Sequence, residues 1–132
     1  MFKKTITYKD YDGNERTEDF RFNLSKAEYV LFENSVKGGM SKEIERAMAM
    51  QDGPRILEIF KDLVDRSYGV KSPDGRRFMK SPELLQEFRE TEAYVNLFME
   101  LVTDVEAGKA FLRGVSPEEI VAEIDKQGTG VK

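Results

Sequence analysis

Phe2-Lys3-Lys4-Thr5-Ile6-Thr7-Tyr8-Lys9 and Thr17-Glu18-Asp19-Phe20-Arg21-Phe22-Asn23-Leu24, on either side of Asp12-Gly13-Asn14, decide the fold. Phe2, Ile6 and Tyr8 share one parity. Lys3, Thr5, Thr7 and Lys9 hold the other, and Lys4 is the one exception on the apolar side. In the second run Phe20, Phe22 and Leu24 alternate with Thr17, Asp19, Arg21 and Asn23. A period of two belongs to half-buried strands, so the segment predicts a β-hairpin. Parity also sets its register. A two-residue Asp12-Gly13 turn places Ile6 opposite Asp19 and throws the two apolar sets onto opposite faces. A loop with an odd number of residues keeps Ile6, Tyr8, Phe20 and Phe22 together. A three-residue loop, Tyr11-Asp12-Gly13, is expected, with Gly13 in the left-handed conformation. A lone hairpin is marginal in water, so its apolar face must rest on the rest of the chain.

The remainder reads as helices. Asn23 or Ser25 caps the next element, Ser25 and Glu28 fitting a capping box, and the helix should reach about Lys37 and stop at Gly38-Gly39. A second is expected from Ser41 to about Gln51. Asp52-Gly53-Pro54 then breaks the chain and Pro54 restarts it. The third helix carries Ile56, Ile59, Phe60, Leu63, Val64 and Ser67 as one stripe, with Tyr68-Gly69 as its stop. Gly69 to Ser81 reads as irregular, with turn chemistry at Ser72-Pro73-Asp74-Gly75. Ser81-Pro82 opens a fourth helix and Thr91 caps a fifth. Thr103 and Glu106 suit a capping box for a sixth that Gly114 ends. A last helix is expected from Ser116, with Ile120, Val121 and Ile124. The fold class is therefore α+β, mainly α. An N-terminal β-hairpin (residues 1–24) precedes about six short helices (25–125) in one small domain, and 126–132 form a flexible tail.

Composition narrows the chemistry. The chain has 132 residues, of which 39% are hydrophobic and 35% charged, enough for one core and too few for two ordinary domains. Cysteine and histidine are both absent. That removes disulfides, zinc-finger ligand sets and His-dependent nucleophile systems. The net charge of −4 is a solubility-level imbalance and not a nucleic-acid footprint. No apolar run approaches the ~20 residues of a membrane span, and the N-terminus lacks the apolar core of a signal peptide.

No set of residues assembles a nucleophile, a base and an oxyanion site. Glu43 with Glu45, Asp62 with Asp65, and Glu118 with Glu119 read better as helix-surface charges than as acid–base pairs. Asp10 to Glu15 lacks the 12-residue ligand series of a calcium loop. No catalytic, cofactor-binding or metal-binding residue is assigned, and no cofactor. Lys71, Arg76, Arg77 and Lys80 around Phe78 read as a solvated loop, with contact to an acidic partner as the alternative. Tyr29 and Phe32, in a run apolar on every side of its helix, and the methionines Met48 and Met50, flexible enough to adapt to varied surfaces, are the candidate partner-binding residues. Each also reads as ordinary core.

Several strings carry a resemblance. Phe2-Lys3-Lys4-Thr5-Ile6-Thr7-Tyr8, Asp12 to Phe20, Phe22 to Glu28, Gln51-Asp52-Gly53-Pro54, Lys71 to Phe78, and Thr91-Glu92-Ala93-Tyr94 with Leu97 to Leu101 are similar to tail assembly chaperones of long-tailed phages of Gram-positive bacteria. The resemblance implies a non-enzymatic protein of the host cytoplasm. Its expected partners are the tape measure protein and the tail tube protein, it is absent from the mature virion, and it binds neither nucleic acid nor membrane. Self-association suits a chaperone that coats a long client. Many such proteins also have a longer frameshifted product, of which this chain would be the shorter form or the common part. The rival reading is a structural tail or head–tail joining protein retained in the virion.

Overall fold

In the computed structural model, which describes residues 1–118, strand β1 (Phe2–Lys9) pairs antiparallel with β2 (Glu15–Phe22). Phe2 faces Phe22, Ile6 faces Glu18 and Tyr8 faces Arg16, the register that parity demands. The Asp10 amide donates to the Asn14 carbonyl at 2.9 Å, which closes the three-residue loop, and Gly13 has φ +84°. Asp10 ties the turn. Its carboxylate accepts from the Asp12 and Asn14 amides and from Arg16 Nε at 2.7 Å.

The sheet is larger than a hairpin. Tyr68–Lys71 forms β3 and Phe78–Met79 forms β4, giving four strands in the order β1-β2-β3-β4. Arg21 faces Gly69 and Phe22 faces Tyr68. The expectation of an irregular stretch after Gly69 is corrected here, as is that of Gly69 as a helix stop. Gly69 lies buried in a strand, where a methyl group would fall 2.9 Å from the Met79 carbonyl oxygen. The Ser72-Pro73-Asp74-Gly75 turn joins β3 to β4, with Gly75 at φ +75° and its amide donating to the Ser72 carbonyl.

Among the described residues six helices follow the expected order: α1 (Lys26–Glu33), α2 (Met40–Ala49), α3 (Gly53–Ser67), α4 (Pro82–Arg89), α5 (Glu92–Thr103) and α6 (Val105–Val115). The Ser25–Glu28 capping box opens α1, and the Ser81 and Thr91 side chains accept amides at the starts of α4 and α5. Three boundaries differ. Helix α1 stops at Glu33 and not near Lys37, because Asn34 Nδ2 donates to the Val30 carbonyl and Ser35 Oγ to that of Phe32, competing with the next turn. Asp104 caps α6, accepting the Glu106 and Ala107 amides, while the Thr103 hydroxyl turns back to the Met99 carbonyl. Gly114 lies inside α6, which continues to Val115. Of the helix expected from Ser116, the part with Ile120, Val121 and Ile124 falls outside the described residues, as does the tail 126–132.

The core is where the sheet's apolar face meets α4, α5 and α6. Phe22 packs on Phe111 at 5.2 Å between ring centroids, Phe2 on Phe111 at 5.3 Å, and Tyr68 stacks on Phe88 at 4.3 Å. Aromatic pairs of this kind add about 0.5–1.5 kcal/mol each to the burial of their surface. Lys4, a polar residue on that face, reaches Glu100 of α5 at 2.8 Å. Asn96 of the same helix donates to the Thr7 carbonyl at 3.4 Å, so α5 blunts the free edge of β1.

Candidate functional site

Among the described residues an apolar groove opens where α2, α3, α5 and α6 converge. Its volume is about 480 Å³. Helix α2 contributes Ile44 and Met48, one turn apart, and α3 contributes Ile56 and Phe60 at the same spacing. Leu101 and Val102 close it from α5. Val105, Gly108 and Leu112 line it from α6, on one face at i, i+3 and i+7. Of the described lining residues only Glu45 and Lys109 are charged, and they belong to different helices, α2 and α6. Val105 stays 54% exposed although it is a β-branched hydrocarbon.

Gly108 brings two of these walls together. A methyl group on it would sit 2.9 Å from Phe60 Cζ and 3.0 Å from the Leu101 carbonyl oxygen, so α6 and Phe60 approach as they do only with a hydrogen at this position. Beside the groove, α2 and α3 are clamped by charge. Arg46 and Arg55 both bind the Glu43 carboxylate, at 2.7 and 2.6 Å, and Arg46 also reaches Asp52 at 3.0 Å. The Arg46 contact, followed by that of Arg55, lowers the Glu43 carboxyl to about 2.

The candidate residues lie in four different settings. Met48 lines the groove. Met50, just past the end of α2, is 71% exposed and outside it. Tyr29 is half-buried against the core. Phe32 is 2% exposed, with the Arg66 guanidinium 5.8 Å from its ring centroid, so it is a core side chain in this conformation. The sequence places Ile56 and Phe60 in the stripe of the third helix and does not single out Ile44, Val105, Gly108 or Leu112. Ile56 and Phe60 fall within the arc of α3 that Ile59, Leu63 and Val64 already span, so their spacing carries no signal that they face a groove.

The remaining polar candidates are engaged in holding the fold. Asp62 pairs with Arg66 and Asp65 with Lys61, each at 2.9 Å. Asp65 also accepts from the Tyr94 hydroxyl at 3.2 Å, and burial first, then that carboxylate, pushes Tyr94 up to about 12. In the basic loop, Lys71, Arg76 and Arg77 are exposed, but Lys80 turns inward. Its ammonium donates to the Asn23 and Arg66 carbonyls at 2.7 Å and to Glu28 at 2.9 Å.

A family model described as phage tail assembly chaperone matches residues 1–131. The chain belongs to the phage tail assembly chaperone family. No curated protein and no solved structure matched it. For a tail assembly chaperone, a hydrocarbon-lined groove on a highly charged chain is the feature that stands out, since an apolar surface left open to water marks a site for another molecule. Among the described residues of this chaperone no helix is long and apolar enough to cross a membrane.

Proposed function

We propose that this chaperone binds the tape measure protein, holds its apolar segments soluble and helps to recruit tail tube subunits around it. The observation that carries the reading is the groove between α2, α3, α5 and α6, about 480 Å³ of nearly unbroken hydrocarbon. Covering such a surface stabilises a complex in proportion to the apolar area removed from water. The charged remainder of the chain keeps the loaded chaperone in solution. The protein acts in the host cytoplasm during assembly and is left out of the finished virion. Self-association along one long client would raise the effective affinity without new contacts.

Co-expression tests the reading. With the chaperone present, the tape measure product should stay in the soluble fraction and co-purify with it. Added tube protein should join that complex, and mass spectrometry of purified virions should find no stoichiometric peptides of this chain. A tape measure product that precipitates equally with and without the chaperone would sink the proposal. Abundant chaperone peptides in the virion would favour a structural tail or head–tail joining role.

A further inference from the structure

We infer that the groove takes a single amphipathic α-helix from its partner, laid in by its apolar face and oriented by Glu45 and Lys109. The inference rests on the client-binding reading above and names the chemistry of what is bound.

The argument starts from the walls. All four are helices, whose interior backbone amides and carbonyls are already paired within each helix. An extended segment entering the groove would give up hydrogen bonds to water on its own backbone and find no backbone partner in exchange. A helix arrives with its backbone satisfied and needs only hydrocarbon to face, which Met48, Phe60, Val102, Val105 and Leu112 supply. A small polar ligand fits no better, because among the described residues no group of polar side chains converges here to orient it.

The apolar track also runs beyond the groove. On α5, Val95, Met99 and Val102 fall at i, i+4 and i+7 and so share one face. Val95 and Met99 are about half exposed, and Val102 lines the groove. Seven residues of helix add roughly 10 Å of track. A binder of three or more turns therefore matches the surface better than a single anchoring side chain. Charge sets its direction. Glu45 on α2 and Lys109 on α6 have opposite signs on different walls, so the bound helix should carry a basic residue toward α2 and an acidic one toward α6.

The test uses the full chain and a fluorescent 18-residue peptide. Its leucines stand at i, i+3, i+4 and i+7, with lysine on one flank and glutamate on the other. Binding should be saturable, and peptide helicity should rise on binding. Val105→Glu and Met48→Glu should each weaken it at least tenfold, while Leu31→Glu, on exposed α1 outside the groove, should leave it unchanged. The double exchange E45K/K109E should reverse the preference between this peptide and one with its flanking charges swapped. The inference is overturned if a peptide with a central proline binds as well, or if Val105→Glu leaves binding intact. It is also overturned if sedimentation shows a dimer that Val105→Glu dissociates, because a second copy then fills the groove. Failure of the broader reading looks different. If the peptide behaves as expected but no tape measure complex forms, the helix-binding chemistry stands and the client is another protein. If that complex forms and tolerates both glutamate variants, the function stands and the groove is not its seat.

Discussion

Replacing Lys80 with methionine should reveal how much one loop lysine holds the molecule together. Its ammonium bridges three separate elements: the end of β2 through the Asn23 carbonyl, the last turn of α3 through the Arg66 carbonyl, and the α1 cap through Glu28. The Arg66 carbonyl lies in the turn whose carbonyls have no partner inside the helix, so Lys80 serves α3 as a C-terminal cap. Hydrogen bonds to a charged group contribute about 1.5–3 kcal/mol each. Three would exceed 4 kcal/mol, but the lysine side chain is 23% exposed and water can replace part of what it provides. Methionine keeps most of the aliphatic stem, so lost packing adds little. The expected loss is about 2–3 kcal/mol, within the range of mutations that break a partly buried network. For a domain of this size that corresponds to a fall in Tm of roughly 6–15 °C. Urea unfolding followed by far-UV circular dichroism measures it, with Lys71→Met as the comparison because Lys71, at the end of β3, is exposed. Lys71→Met should change stability by less than about 0.5 kcal/mol. If the two variants unfold at the same urea concentration, the bridging role of Lys80 is wrong.

Other perturbations have equally definite outcomes. Glu43 is held at about 2 by Arg46 and then Arg55, and Asp10 and Asp52 are held below the usual carboxylate range, first by Arg16 and Arg46 respectively. Because these folded values are depressed, the stability they contribute is complete above the ordinary carboxylate range and is lost as pH falls through the folded values. The urea midpoint should therefore drop steadily between pH 4.5 and 2, and Glu43→Gln should flatten part of that slope. Asp104→Ala should cost about 1 kcal/mol by removing the α6 cap, and Thr103→Ala clearly less, since its hydroxyl only reinforces a carbonyl within α5. Gly108→Ala should destabilise by about 1–3 kcal/mol and narrow the groove, because the Leu101 carbonyl cannot move aside as the Phe60 ring can; thermal unfolding and peptide affinity should fall together.

These outcomes also separate what was legible in the chain from what was not. Hairpin register followed from parity, because a one-residue slip would have turned Ile6 and Tyr8 away from Phe20 and Phe22. Ser25, Ser81 and Thr91 announced their helices because a capping hydroxyl and the amide it accepts lie only three residues apart. The end of α1 was misjudged because two signals competed locally: Gly38-Gly39 looks like a stop, and Asn34 with Ser35 reached the carbonyls first. Strands β3 and β4 are not legible because two to four residues carry no readable period, and β3, on which β4 pairs, is itself placed by Arg21 and Phe22, more than forty residues earlier.

By itself the amino-acid order determined the α+β class, the hairpin and its register, most helix starts and the resemblance to tail assembly chaperones. Helix starts depend on residues three positions apart, and the hairpin on two runs joined by a short loop, so local order suffices for both. Only the tertiary structure decided that a loop lysine points inward and that the sheet has four strands. It alone, too, set the flanks of the helix stripes around an open groove instead of closing them into the core. Those outcomes depend on where side chains distant in the chain meet, and an apolar stripe looks the same in sequence whether its last residues are covered by a neighbouring helix or left for a partner.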